Sequence, residues 1–193
     1  MPSINYSNRY QEIINRVLKH EGGFINHKND PGGATKWGVS LRWLQKQADS
    51  DLIDGDLDND GDIDVDDIKE VDKEDASRFY YKNWWNRHNY SSYEKPVGEK
   101  LFDMAINMGS EQAHKLLQRA LNMLGEDLVV DGIIEGPNTQ ESLTRHDAQQ
   151  IVDALCDTQL DFYQSLVEQD DKYAAFIEGW TKRAEAFRSE PFA

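Results

Sequence analysis

The stretch Tyr10-Gln11-Glu12-Ile13-Ile14-Asn15-Arg16-Val17-Leu18-Lys19-His20-Glu21-Gly22-Gly23-Phe24 decides the fold. Tyr10, Ile13, Ile14, Val17 and Leu18 fall at i, i+3, i+4, i+7 and i+8, so a helix here has one apolar face to bury. Asn5 and Ser7 both suit its N-cap. Gly22 and Gly23 stand where a helix closes in the left-handed conformation. The chain thus opens with an amphipathic helix that stops at a glutamate and turns away through glycine.

Working outward, the same periodicity predicts helices over 7–21, 40–53, 65–70, 73–86, 97–108, 110–124, 137–144, 147–168 and 171–187. Ser40, Pro137 and Asp147 read as helix starts. Strand signals are weak, so the fold class is mainly α. A chain of 193 residues with five Trp, eight Tyr and seven Phe can bury a substantial core. Cys156 is the sole cysteine, which rules out an intramolecular disulfide. It sits among Ile151, Val152, Ala154 and Leu155 and reads as a small buried residue. Residues 89–95 are short for a linker, so 1–95 and 96–193 are expected to pack as two lobes of one domain.

Glu21 carries the chemistry. In or just past the last helical turn it meets the negative end of the helix dipole, which raises its pKa. Partial burial beside Phe24 and Trp37 acts in the same direction. A carboxyl group that keeps its proton near neutral pH can protonate a leaving-group oxygen. The turn Asp30-Pro31-Gly32-Gly33-Ala34-Thr35 brings a second carboxyl group and a hydroxyl back along the chain. Gly32 and Gly33 allow close backbone approach. Asp30 and Thr35 facing an acidic Glu21 suit the holding of a water for cleavage of a glycosidic bond. The plain alternatives are an exposed Glu closing a surface helix and an ordinary surface turn.

These motifs, with Trp37-Gly38-Val39, resemble glycoside hydrolase family 108, mostly phage-encoded peptidoglycan muramidases of lysozyme-like fold. Phe102-Asp103-Met104-Ala105-Ile106-Asn107-Met108-Gly109, Leu117-Gln118-Arg119-Ala120-Leu121 and Val130-Asp131-Gly132-Ile133-Ile134-Glu135-Gly136-Pro137-Asn138-Thr139 resemble the predicted peptidoglycan-binding segment of that family. Gly179-Trp180-Thr181-Lys182-Arg183 is similar to its C-terminal end. The resemblance leaves out residues 49–75. It implies a two-lobed helical lysozyme-like domain, with a short hairpin in 24–39. It also implies Glu21 as general acid, with Asp30 and Thr35 as water- or substrate-positioning residues. Eight residues separate Glu21 from Asp30, as in the T-even phage lysozymes, and four separate Asp30 from Thr35, a gap that departs from that pattern.

A second signal is independent of the first. Asp56-Leu57-Asp58-Asn59-Asp60-Gly61-Asp62-Ile63-Asp64-Val65-Asp66-Asp67 reads as an EF-hand loop for Ca²⁺. Asp56, Asp58 and Asp60 take the first three ligand positions, and Gly61 the sharp turn. Asp62 ligates through its carbonyl, Asp64 often through water, and Asp67 closes the loop where a longer Glu is usual. The alternative is a disordered acidic surface run. Residues 49–75 hold fourteen acidic and two basic residues, a net −12, leaving −3 for the rest of a chain of net charge −15. The acidity is therefore local, and no basic patch offers itself to DNA or RNA.

Other candidates are weaker. Asn107, before Met108-Gly109, reads either as a donor to a sugar hydroxyl or N-acetyl group, or as a helix-ending residue. Trp37 is the aromatic nearest the candidate site and the better stacking residue. Phe79, Tyr80, Tyr81, Trp84 and Trp85 at helical spacing read chiefly as core. His20 and His27 flank Glu21 without the spacing of a zinc site. No apolar run suits a signal peptide or a membrane span. The expected protein is thus a monomer without stable membrane association. It is made in the host cytoplasm and acts on the periplasmic cell wall after holin-type or secretion-system release. The resulting expectation is an endolysin-type muramidase. It would cleave the β-1,4 bond between N-acetylmuramic acid and N-acetylglucosamine. Two alternatives stay open: a lytic transglycosylase giving 1,6-anhydromuramic products, and a non-catalytic calcium-dependent peptidoglycan-binding protein.

Overall fold

The computed structural model describes residues 5–20, 22–26, 33–48 and 54–189. The chain divides into two compact units, Met1–Asn89 and Tyr90–Ala193.

In the first unit, α1 (Asn8–His20) starts where Ser7 Oγ accepts a hydrogen bond from the Tyr10 N–H at 3.3 Å, so Ser7 rather than Asn5 is the cap. All five residues of the expected apolar stripe are buried. Strands β1 (Thr35–Lys36) and β2 (Val39–Ser40) form a two-stranded antiparallel hairpin. Trp37 and Gly38 at its tip both have positive φ, 52° and 76°. That pair of conformations matches the right-handed twist of the strands it joins. Helix α2 (Leu41–Ala48) follows directly, with Ser40 Oγ accepting from the Trp43 N–H.

Beyond the acidic loop, α3 (Val65–Glu70) and α4 (Lys73–Tyr80) each begin with a capping box, Asp64 with Asp67 and Asp72 with Asp75. The expected helix over 73–86 changes character after Tyr80. Residues Tyr81–Trp85 form one π-helical turn, with the Asn86 N–H bonded to the Tyr81 carbonyl at 2.8 Å. The wider turn buries Asn83, whose side-chain amide donates to the Phe79 carbonyl, and Trp85, while Trp84 lies half-buried and stacked on Trp43 at 5.4 Å. The aromatic run is therefore largely core.

The regular elements of the second unit are all helices among the described residues. Helix α5 (Lys95–Met108) has Pro96 in its first turn, where no donor is needed, and every residue from Val97 to Ala105 is buried. It packs on α6 (Ser110–Met123) and α8 (Ala148–Gln169). The irregular segment between α6 and α7 (Pro137–Leu143) is held by side chains of α6. Asn122 bonds both backbone groups of Leu128, and Gln118 grips the Gly132 N–H and Asp131. Asp147 and Gln150 form the capping box of α8.

The helix expected over 171–187 is instead a 3₁₀ turn, Asp171–Ala175, a break at Phe176, and α9 (Ile177–Ser189). Asp170 takes the Lys172 N–H on its side chain and the Tyr173 N–H on its carbonyl, which selects the tighter turn. Cys156 is fully buried, as its neighbours implied. No helix among the described residues is long and apolar enough to cross a membrane.

Candidate active site

Glu21, Asp30 and His27 lie outside the described residues. Their neighbours on the chain are placed. Segment 22–26 runs beside the hairpin: the Trp37 N–H donates to the Gly22 carbonyl at 3.1 Å, and Ile25 and Thr35 exchange two backbone bonds of 2.8 Å. The chain on either side of residues 27–32 is therefore pinned together. The hairpin brings Thr35 and Trp37 against the segment that follows Glu21.

Thr35 is half-buried, and its hydroxyl makes one long bond, 3.4 Å, to the Gly33 carbonyl. Trp37 is half-buried too. Its carbonyl accepts from the Tyr80 hydroxyl at 3.1 Å, and the Lys73 ammonium sits 4.8 Å from its ring centroid. One ring face is thus held by a cation.

The acidic loop folds as two groups of three carboxylates, Asp56 with Asp58 and Asp60, and Asp62 with Asp64 and Asp67. Within each group the oxygens lie within 4.8 Å of one another. The backbone is wound around the side chains. Asp56 accepts from the N–H groups of Asp60 and Gly61, both at 3.1 Å. Asp67, 1% exposed, accepts from Leu57 at 2.6 Å and Asp64 at 2.7 Å. Asn59 and Gly61 supply the positive φ values, 62° and 101°. Repulsion from Asp60, then loss of water, pushes the Asp62 carboxyl above its ordinary pKa. Loss of water, then repulsion from Asp60, Asp67 and Asp56, pushes Asp58 the same way, against a backbone hydrogen bond from Asp60. An all-oxygen donor set with its own charges poorly compensated suits a hard divalent cation. The loop is tied to its surroundings at two points. Gln45 of α2 donates to the Ile63 carbonyl at 2.7 Å, and the Lys36 ammonium of β1 donates to the Lys69 carbonyl of α3.

Asn107 lies in the second unit, one residue before the end of α5. Its Oδ1 accepts from the Tyr163 hydroxyl at 2.8 Å. The Tyr163 oxygen accepts from Gln159 Nε2 at 2.6 Å, and Gln159 Oε1 accepts from Lys100 Nζ at 2.6 Å. Lys100 is fully buried, and burial pushes its pKa down. Beside this chain, Asp103 pairs with Arg183 at 2.9 Å, with side chains 3% and 13% exposed. The sequence reading missed Lys100, Gln159, Tyr163 and Asp103. A lysine set among Val97, Leu101, Phe102 and Met104 was the available signal.

With this geometry in view, the comparisons are specific. Residues 14–109 match the family Glycosyl hydrolase 108, and residues 112–185 match the Predicted Peptidoglycan domain. A solved structure titled "Structure of Brucella abortus SagA" is similar at a TM-score of 0.66 and 24% identity, covering 94% of this chain and 97% of that one. That likeness concerns the fold. No curated protein matches.

Proposed function

Because residues 14–109 form a glycosyl hydrolase 108 domain, followed by a peptidoglycan domain, the chain is a glycoside hydrolase acting on peptidoglycan, and we propose that it is a muramidase. It cleaves the β-1,4 bond between N-acetylmuramic acid and N-acetylglucosamine, with Glu21 as general acid. Glu21 protonates the glycosidic oxygen as the C1–O bond breaks. A water steadied by Asp30 and Thr35 adds to C1 and leaves a reducing-end muramic product. The observation that carries this reading is the pairing of 22–26 with the hairpin. It supports Thr35 and Trp37 as neighbours of the chain leaving α1, within the matched hydrolase domain. The match to a hydrolase family sets aside the purely binding alternative.

The test is mass spectrometry of fragments released from purified peptidoglycan by the wild type and by Glu21→Gln. Reducing muramic ends from the wild type, with activity lower by about 10²–10⁴ in Glu21→Gln and an unchanged melting temperature, are expected. 1,6-Anhydro ends would replace hydrolysis by transglycosylation on the same residue. Full activity in Glu21→Gln would remove it as the acid.

Calcium at the acidic loop belongs to the same proposal. Asp56, Asp58, Asp60, Asp64 and Asp67 would hold the ion with the Asp62 carbonyl, and the ion would neutralise charge and order the loop. The ties from Ile63 to α2 and from Lys69 to β1 give that ordering a route to the hairpin. Activity that falls in EGTA and in Asp56→Ala with Asp60→Ala is expected. Activity indifferent to both would leave calcium no part in the enzyme's function beyond stability.

A further inference from the structure

The second unit carries a row of stacked aromatic rings that ends in solvent. Tyr163 of α8 lies under Trp180 of α9, with centroids 4.8 Å apart and planes 26° from parallel. Phe176 continues the row at 5.7 Å and 23°. Tyr163 is buried, Trp180 is half-buried, and Phe176 is 55% exposed. An exposed phenyl ring held by stacking presents a flat face already ordered, so little conformational freedom is lost when a ring lies on it.

Tyr163 also joins this row to Asn107 through a chain whose direction is fixed. An ammonium group has donors only, so Lys100 forces Gln159 to present Oε1 to it. Gln159 Nε2 must then face Tyr163 and donate to its oxygen. The tyrosine hydrogen is left for Asn107 Oδ1, which turns the Asn107 Nδ2 the other way. No described residue bonds that Nδ2, and it is not among the buried unpartnered atoms. It is an outward donor set by a lysine that never touches it.

We propose that Phe176, propped on Trp180, is a saccharide shelf and that Asn107 Nδ2 is a polar anchor for the same glycan strand. A pyranose ring of the peptidoglycan glycan strand lies with its C–H face on the outer face of Phe176. Asn107 donates to an acetamido carbonyl or ring oxygen of the same strand. This rests on the peptidoglycan reading above and places a binding subsite in the second unit, with Phe176 and Trp180 in the matched peptidoglycan domain and Asn107 at the end of the matched hydrolase segment. A shelf of rings with an oriented amide suits an amphipathic sugar, apolar on its faces and polar at its rim. Lys100, Gln159 and Tyr163 are positioning residues and touch no substrate.

Steady-state kinetics on solubilised glycan strands tests this, with melting temperature as the control for folding. Phe176→Ala and Trp180→Ala are expected to raise KM about three- to tenfold with kcat little changed. Asn107→Asp keeps the acceptor for Tyr163 but replaces the outward donor, and is expected to raise KM about tenfold. Tyr163→Phe releases the amide and raises KM in the same direction. Combined with Asn107→Asp it adds nothing further, because both act through one group. Wild-type KM in Phe176→Ala and Asn107→Asp, with wild-type turnover intact, overturns the shelf and leaves the hydrolase standing. A dimer lost in Phe176→Ala, with KM unchanged, assigns the row to a second copy and also overturns it. If the wild type releases no fragments, the hydrolase reading fails. Binding of a β-1,4 N-acetylglucosamine oligomer, weakened by Phe176→Ala or not, then decides the shelf separately.

Discussion

The acidic loop of the first unit and the charged groups of the second unit use the same carboxylates to opposite ends. In the loop, Asp58 and Asp62 are surrounded by other aspartates, and their pKa values rise. In the second unit, Glu126 accepts from Ser142 at 2.8 Å, from His146 at 2.8 Å and from Arg145 at 2.7 Å, and its pKa falls. Asp103 is buried against Arg183, and Lys100 against Gln159 and the Ala184 carbonyl. One region therefore stores unneutralised charge on a loop, while the other sets Glu126 and Asp103 against cations and gives its buried lysine two oxygen acceptors. What a carboxylate does for a fold depends on the donors that reach it, and here the two sets differ in sign.

The comparison breaks most visibly at the buried pair. Arg183→Met leaves Asp103 without its cation and is expected to cost about 3–5 kcal/mol. Asp103→Leu with Arg183→Met should recover most of that loss. A denaturant titration that finds the single variant as stable as the wild type would mean that Asp103 is not held by charge.

Calcium sharpens the contrast from the other side. At a hundredfold its dissociation constant it is expected to raise the melting temperature by about 5–10 °C, an effect absent in Asp56→Asn with Asp60→Asn. Hydrogen exchange should show the protection concentrated in residues 56–67. Uniform protection would remove the loop as its source.

The smallest expected effect concerns acid. Glu126, with its pKa lowered in the fold, stabilises above its ordinary value and loses that contribution as pH falls through the folded value. Asp58 and Asp62, with pKa values raised, bind protons more tightly when folded. They therefore lose stability as pH rises from about 3.8 through their folded values, and regain it on acidification. Glu126→Gln is expected to flatten the acid loss of stability between about pH 5 and 3 by a degree or two in melting temperature. Asp62→Asn should instead steepen that acid limb, because it lessens the repulsive cost at neutral pH and removes the gain on acidification. Identical acid profiles in both variants would erase the distinction.

Local features were legible early. The stripe of α1, the caps at Ser40, Pro137 and Asp147, and the burial of Cys156 each depend on neighbours a few residues apart. So does the glycine-bearing turn of the acidic loop. The helix expected over 171–187 was misjudged at Phe176, because the competition between a 3₁₀ turn and an α-helix turns on the small difference made by Asp170. The π-helical turn at Tyr81–Trp85 left no mark in the periodicity, because it is selected by which tryptophan the core accepts. At the candidate site, the hairpin was implied by the family resemblance rather than by strand periodicity, and Glu21 and Asp30 lie outside the described residues.

The sequence by itself determined the helical class, the apolar face of α1 and the acidic loop. All of these follow from spacing along the chain. Only the tertiary structure decided that a buried lysine orients an asparagine amide, and that Tyr163, Trp180 and Phe176 form one row. Lys100 and Gln159 are 59 residues apart, Asn107 and Tyr163 56. A hydrogen bond or a ring stack across such separations leaves no periodicity to read, because its partners are chosen by packing rather than by the local backbone.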